Sequence, residues 1–306
     1  ALARCAREHA DVLLAACCDT DAARAALYSH QFGFARSYTD ALAMLEAERP
    51  DAAVLVVPPE ATAALAGRVL ARGIPVLIEK PPGRSLAELD LLIAAAGKVP
   101  HQVAFNRRFV PLVQEARRRL ASLEPGSALQ HIRYEMTRVG RRDADFSTTA
   151  IHGLDAVRFL AGSDYASAQL RYQELPGAGP GVCNIFVEAQ MASGATAHLA
   201  FCPMAGVVVE RATMHAGAHS LFLHIPMWGA FDSPGRLQHL EGGRVRADIA
   251  GDPAAESFVL GGFYGECEAF LGDLRALRAP SPSLPDSRQS MELADCIRER
   301  RKAYPA

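Results

Sequence analysis

Ile74-Pro75-Val76-Leu77-Ile78-Glu79-Lys80-Pro81-Pro82 is the stretch that decides the fold. It reads as a short apolar strand ended abruptly by a glutamate, a lysine and two prolines. An uninterrupted apolar run, without polar alternation, marks a strand covered on both faces, as in a parallel sheet between helix layers. Open α/β folds bind their ligands at the carboxyl edge of such a sheet. Glu79 and Lys80 stand at that edge. A lysine there can lend a proton or a positive charge to a substrate oxygen. It can equally be a surface lysine in a loop opened by proline, and the pentapeptide Ile78–Pro82 leaves both readings open.

Working outward, the first hundred residues repeat this grammar. Val12–Cys18 is a buried strand ending at Asp19, Ala52–Val57 is stopped by Pro58-Pro59, and His101–Phe105 is a further strand. Between them lie helical segments at Asp21–Gln31, from Thr39 or Asp40 to Glu48, and at Ala61–Arg72, closed by Gly73 as a left-handed cap. Another runs from a capping box at Ser85-Leu-Ala-Glu88 to Gly97. Strands alternating with helices predict a Rossmann-type, doubly wound parallel sheet. After Asn106-Arg-Arg-Phe-Val-Pro111 the pattern changes to longer alternating strands: Leu129–Thr137, Ser167–Gln173, Cys183–Met191, Ala195–Phe201 and Arg211–Ala216. They predict an α+β domain on a large, mostly antiparallel open sheet, interrupted by a helix at Ile151–Leu160. Pro226–Gly262 reads as glycine-rich loops, and helices at Tyr264–Leu277 and Ser287–Arg300 close the chain. The expected division is residues 1–108, binding dinucleotide, and 109–306, binding substrate and mediating assembly.

Composition narrows the function. The 306 residues carry a formal net charge of −2, which gives no polyanion-binding surface and no basic membrane patch. No apolar run approaches a bilayer span. The seven cysteines are scattered, with neither C-x-x-C nor zinc spacing, so a cytoplasmic protein with reduced thiols and no metal is expected.

Asp19 is the first residue with chemistry. A carboxylate at the end of the first strand is where a doubly wound domain binds the adenosine ribose of NAD, and it would repel the 2′-phosphate of NADP. An aspartate opening a turn, with Asp21 capping the next helix, fits as well. Further on come Glu79-Lys80-Pro81, Phe105-Asn106-Arg107-Arg108-Phe109 and Ile151-His152-Gly153-Leu154-Asp155. In this order they make the chain resemble the glucose–fructose oxidoreductase/inositol dehydrogenase (Gfo/Idh/MocA) family over nearly its whole length. The resemblance implies NAD(P)-dependent hydride transfer between a carbinol and a ketone of a sugar, sugar acid or cyclitol. It implies that Lys80 and His152 are the catalytic acid/base groups. Asp19, Pro58, Glu79, Lys80 and Asn106 would then meet the cofactor, NAD rather than NADP, and Arg107, Arg108, Thr148, Thr149 and His152 the substrate. The exposed face of the second sheet would pair subunits into a homo-oligomer. Asp155 is read as structural.

The sequence departs from the family pattern at Thr148, which stands where an aspartate is usual, and at Pro58-Pro59-Glu60, where Thr-Pro is. The strand and G-x-G-x-x-G loop that would precede Ala1 are not in the sequence. Ala1–His9 reads as the later part of the helix after them. The expectation is a parallel sheet with an open gap and weak NAD binding by residues 1–306 alone. These departures also fit an alternative: a non-catalytic regulator that binds dinucleotide or sugar.

Overall fold

A computed structural model describes residues 1–124 and 126–305. The first part runs α1 (Leu2–Glu8), β1 (Ala16–Cys18), α2 (Ala22–Phe32), β2 (Arg36–Tyr38), α3 (Ala41–Glu48), β3 (Ala53–Leu55), α4 (Pro59–Leu70), β4 (Val76–Glu79), α5 (Leu86–Ala96) and β5 (His101–Ala104). β3, β4 and β5 form a parallel sheet in which Ile78 lies between Leu55 and Val103. β1 pairs in parallel only with β2. No described strand lies between β1 and β3, so the parallel layer is in two pieces. This is the gap expected from the sequence, and Leu13, Val54 and Val56 near it stay exposed.

The helices start where side-chain chemistry predicts. Asp21 accepts from the amides of Ala23 and Arg24, and Asp40, not Thr39, from those of Leu42 and Ala43. Ser85 accepts from the Glu88 amide, but Glu88 turns back to the Arg84 amide and leaves the box half closed. β1 is shorter than the Val12–Cys18 run. β2 escapes the sequence reading because Arg36 and Ser37 are exposed and form no apolar run.

A 3₁₀ turn (Asn106–Phe109) leads into α6 (Pro111–Ala121), β6 (Leu129–Thr137), α7 (Ser147–Ala161), β7 (Tyr165–Glu174), β8 (Cys183–Met191), β9 (Thr196–Cys202), β10 (Val209–Ala216), β11 (His219–His224), β12 (Arg236–Glu241) and β13 (Arg244–Ala250). Then follow α8 (Ser257–Leu260), α9 (Phe263–Arg275), α10 (Leu284–Arg298) and β14 (Ala303–Tyr304). The strands form one nine-stranded sheet, β13-β12-β11-β10-β6-β9-β8-β7-β14, antiparallel except for β6 against β9.

Three sequence readings need correction. The segment read as glycine-rich loops contains the β12–β13 hairpin, turned by Gly242-Gly243 with φ of +53° and +78°, a conformation that favours glycine at both positions. α7 starts a turn earlier than Ile151, which puts Thr148 and Thr149 on the helix. α10 starts at a Ser283–Asp286 capping box instead of Ser287, because the proline-rich linker supplies its first turn. Pro282 O accepts from the Val103 amide (2.8 Å), which stitches that linker to β5. One core runs from Ile78 and Val103 through α7 to Tyr134 and Leu199 on the large sheet.

Candidate active site

The site gathers where the carboxyl end of β4 meets the first turns of α7. Val76, Leu77 and Ile78 are fully buried, and the chain surfaces only at Glu79 and Lys80, ahead of a cis Lys80–Pro81 peptide. Lys80 Nζ donates to the Thr148 carbonyl (3.0 Å) and lies 4.0 Å from Glu79 Oε1. Burial pushes the Lys80 pKa down; Glu79 opposes this, while Arg107 and Arg141 add to it. Burial likewise pushes the Glu79 carboxyl up.

His152 follows Thr148 by four residues and therefore shares its helix face. It is buried, and its Nδ1 has no hydrogen-bond partner. Burial first, then the charges of Arg107, Lys80 and Arg138, hold it well below the usual imidazole range. A neutral imidazole with an unclaimed ring nitrogen is competent to take a proton from a hydroxyl. Gly153 makes this placement possible. A Cβ there would come within 2.6 Å of the Phe201 ring and 2.9 Å of the Tyr134 ring, so only glycine lets α7 lie this close to the sheet.

The arginines are placed differently from their expected substrate role. Arg107 makes a two-pronged pair with Glu210 (3.1 and 3.0 Å) and also donates to Asn106 Oδ1 (2.9 Å). Arg108 pairs the same way with buried Asp155 (2.7 Å each), which accords with a structural Asp155. Both guanidinium forks are committed to carboxylates of this chain. Asn106 is buried and donates to Gly261 O (2.8 Å), so its amide braces Arg107 against the segment before α9. Thr149 is not on the wall of the adjoining cavity, whereas Thr148 is.

That cavity, of about 250 Å³, lies between Pro59, Pro81, the start of α7 and α10. Glu60, Arg84, Asp145, Ser147, Thr148 and Arg298 supply its polar wall, and Ile151, Met291 and Ala294 its apolar one. Asp145 is a carboxylate outside the quoted motifs; its Oδ1 accepts from the Ser147 amide (2.8 Å). At the far edge, Asp19 directly follows β1, and its Oδ1 accepts from the Asp21 amide (2.9 Å). Pro58 sits exposed ahead of α4.

Residues 2–106 match the model of an oxidoreductase family with an NAD-binding Rossmann fold. That model is the Gfo/Idh/MocA one. The putative oxidoreductase YceM of Salmonella typhimurium is 30% identical over 131 residues, 42% of this chain and 41% of that protein. Inositol 2-dehydrogenase of Corynebacterium glutamicum is 27% identical over 166 residues, 52% and 49% of the two chains. The chain thus spans about half the length, or less, of these curated relatives. A levoglucosan dehydrogenase in complex with NADH and levoglucosan has the same fold, with a TM-score of 0.79 at 18% identity over 94% of this chain and 87% of that one. The polar residues that sequence motifs did not reveal are Glu210, Arg138 and Tyr134. One signal was present: Glu210 shares strand parity with buried Ala212, Met214 and Ala216, so a carboxylate was due on the core face.

The buried imidazole makes a testable contribution to stability. An unfolded histidine titrates near about 6.5, and folded His152 well below it. As pH falls past the unfolded value the unfolded chain takes up the proton first, so stability is lost. Glu79 and Glu266, both raised by burial, act with the opposite sign. His152→Gln should therefore make stability from urea melts less dependent on pH between about 6.5 and 5 than in the parent protein. Parallel curves for the two proteins would refute a depressed His152.

Proposed function

We propose that this protein is an NAD-dependent dehydrogenase acting on a secondary alcohol of a sugar, sugar acid or cyclitol. The observation that carries the reading is the pairing of Lys80, anchored on the Thr148 carbonyl, with neutral His152 one turn further along α7. The His152 imidazole takes the hydroxyl proton while the Lys80 ammonium stabilises the developing negative oxygen. In reduction the two roles reverse. The bound nicotinamide would supply the hydride acceptor. The residues fit that group: Asp19 keeps an oxygen free at the end of β1 for ribose hydroxyls, and Lys80 stands at the matching edge of β4. Residues 1–108 would hold dinucleotide and 109–306 substrate. The mixed carboxylate, hydroxyl and guanidinium wall of the adjoining cavity suits a polyhydroxylated ligand. We place self-association on the solvent face of the nine-stranded sheet, which presents Arg133, His198 and Phe222. Among the described residues no helix is long and apolar enough to cross a membrane, and no group of side chains could hold a metal ion.

A panel of sugars, cyclitols and their acids with NAD tests the reading: one of them should reduce the dinucleotide with saturation kinetics. Saturable binding of NAD and polyol without turnover would favour the regulator instead, a reading supported by Thr148, whose carbonyl is spent on Lys80 and whose hydroxyl is no base at neutral pH. Asp19 yields a second expectation. The parent protein should prefer NAD to NADP, and Asp19→Ser should narrow that preference, since the carboxylate repels the extra phosphate. Equal use of both cofactors by the parent would remove Asp19 from this role.

A further inference from the structure

We infer that a row of four rings on the solvent face of the nine-stranded sheet is the centre of a surface that pairs two copies of this chain, and that its three imidazoles make the pairing acid-labile. The inference rests on the proposed self-association of that face. Phe222, His215, His131 and His198 come from the neighbouring strands β11, β10, β6 and β9. Each stands one residue before a buried side chain (Leu223, Ala216, Ile132 and Leu199), so all four point away from the core. Their ring centroids follow one another at 6.4, 6.3 and 4.9 Å. His215 and His131 are directly opposed across the β10–β6 pair, and their rings lie within 10° of parallel. Two of the imidazoles are fixed in place: His131 Nδ1 is 2.8 Å from Thr196 Oγ1, and His215 Nδ1 is 2.8 Å from Ser220 Oγ. Four rings in line across four strands make a contiguous patch, unlike apolar side chains exposed singly.

The charges on the same face point to a second copy as the occupant. Arg133 and Glu135 on β6, Arg171 on β7 and Glu188 on β8 share this face by register, and none of them has an ion-pair partner among the described residues. Two cations and two carboxylates left over around a ring-lined centre suit a two-fold contact, which must be complementary to itself. A polyanion or an anionic membrane would need one sign. The imidazoles face one another, with Arg133 beside His131 and His198, Glu188 opposite His198, and the uncharged Thr196 and Ser220 on either side. Burial, then His198, His215 and Arg133, push His131 below the ordinary histidine range, so it is neutral at neutral pH. Covering the row with a copy removes more water and favours neutral rings further. Association therefore weakens as pH falls past about 6.5, where separate chains take up protons that the pair must shed.

Sedimentation of the full chain at about pH 7.5 and about pH 5.5, with far-UV spectra to exclude unfolding, tests this without any substrate. The chain should be paired at the higher pH, and its dissociation constant should rise by on the order of tenfold or more at the lower. The triple variant His131→Gln, His198→Gln, His215→Gln keeps polar side chains that cannot charge, and should stay paired at both. Should it fail to fold, His198→Gln alone, at an exposed position, should make the rise smaller. Phe222→Glu places a carboxylate at the end of the row and should give single chains at the higher pH already. Pairing that is equally strong at both pH values, glutamine variants that dissociate in acid as the parent does, or a paired Phe222→Glu would each overturn the inference. Single chains at both pH values would remove the self-association reading and this inference with it. The dehydrogenase reading is tested apart, because no turnover is measured.

Discussion

Lys80→Met should lower turnover on a confirmed polyol by a factor of about 10²–10⁴, the usual scale for a positioned acid/base group, while NAD affinity stays nearly unchanged. Methionine keeps the volume and flexibility of the stem against α7 but removes the ammonium that donates to Thr148 O and, in the proposed reaction, stabilises the substrate oxygen. Lys80→Arg should not restore activity. A guanidinium is a larger planar fork and cannot place a compact charge against both the Thr148 carbonyl and the neighbouring substrate oxygen from the same stem. This distinction matters in a chain whose 32 basic residues include only three lysines. Steady-state kinetics and dinucleotide titration on the same preparations check both halves of the expectation. Turnover within a few-fold of the parent would make Lys80 structural and favour the regulator.

Gly153→Val should destabilise the protein by more than about 3 kcal/mol, the upper range for overpacking a filled core. The helix gains nothing in exchange, since a β-branched residue replaces glycine at a site with no room. The atoms in the way are ring carbons of Phe201 and Tyr134, both fully buried, so no flexible side-chain end can swing aside. Any variant that folds must lift α7 off β6 and β9. His152 and the Thr148 carbonyl would move together, so activity should fall more than stability alone explains. Chemical melts and turnover of the surviving fraction measure the two effects. A variant as stable as the parent would mean that α7 does not approach the sheet this closely.

The parallel half was legible because its strands are apolar without interruption and its helices carry their own caps at Asp21, Asp40 and Ser85. The β12–β13 hairpin was missed because half its residues are charged or polar, and Gly242-Gly243 reads as loop as readily as turn. At the site, Lys80 and His152 could be singled out because each sits in a local motif. The commitments of Arg107 to Glu210 and Arg108 to Asp155 could not. Those pairings join residues 103 and 47 positions apart, and no local pattern encodes a partner that only tertiary folding brings near. Glu210 was visible only as a misfit, an acid in register with buried alanine and methionine.

The break between β1 and β3 has a thermodynamic consequence for ligand choice. The segment from Ala16 to Glu48 packs chiefly on itself, and only Ala25 and Leu45 within it are buried. Such a piece opens locally at a small cost in free energy, far below that of unfolding the whole molecule. Asp19 is carried at its tip. If Asp19 reads the dinucleotide as proposed, telling apart two dinucleotides that differ by one phosphate falls to a weakly anchored part of the protein. Part of the binding free energy there would go into ordering the reader before it can read, so discrimination and rigidity would rise or fall together.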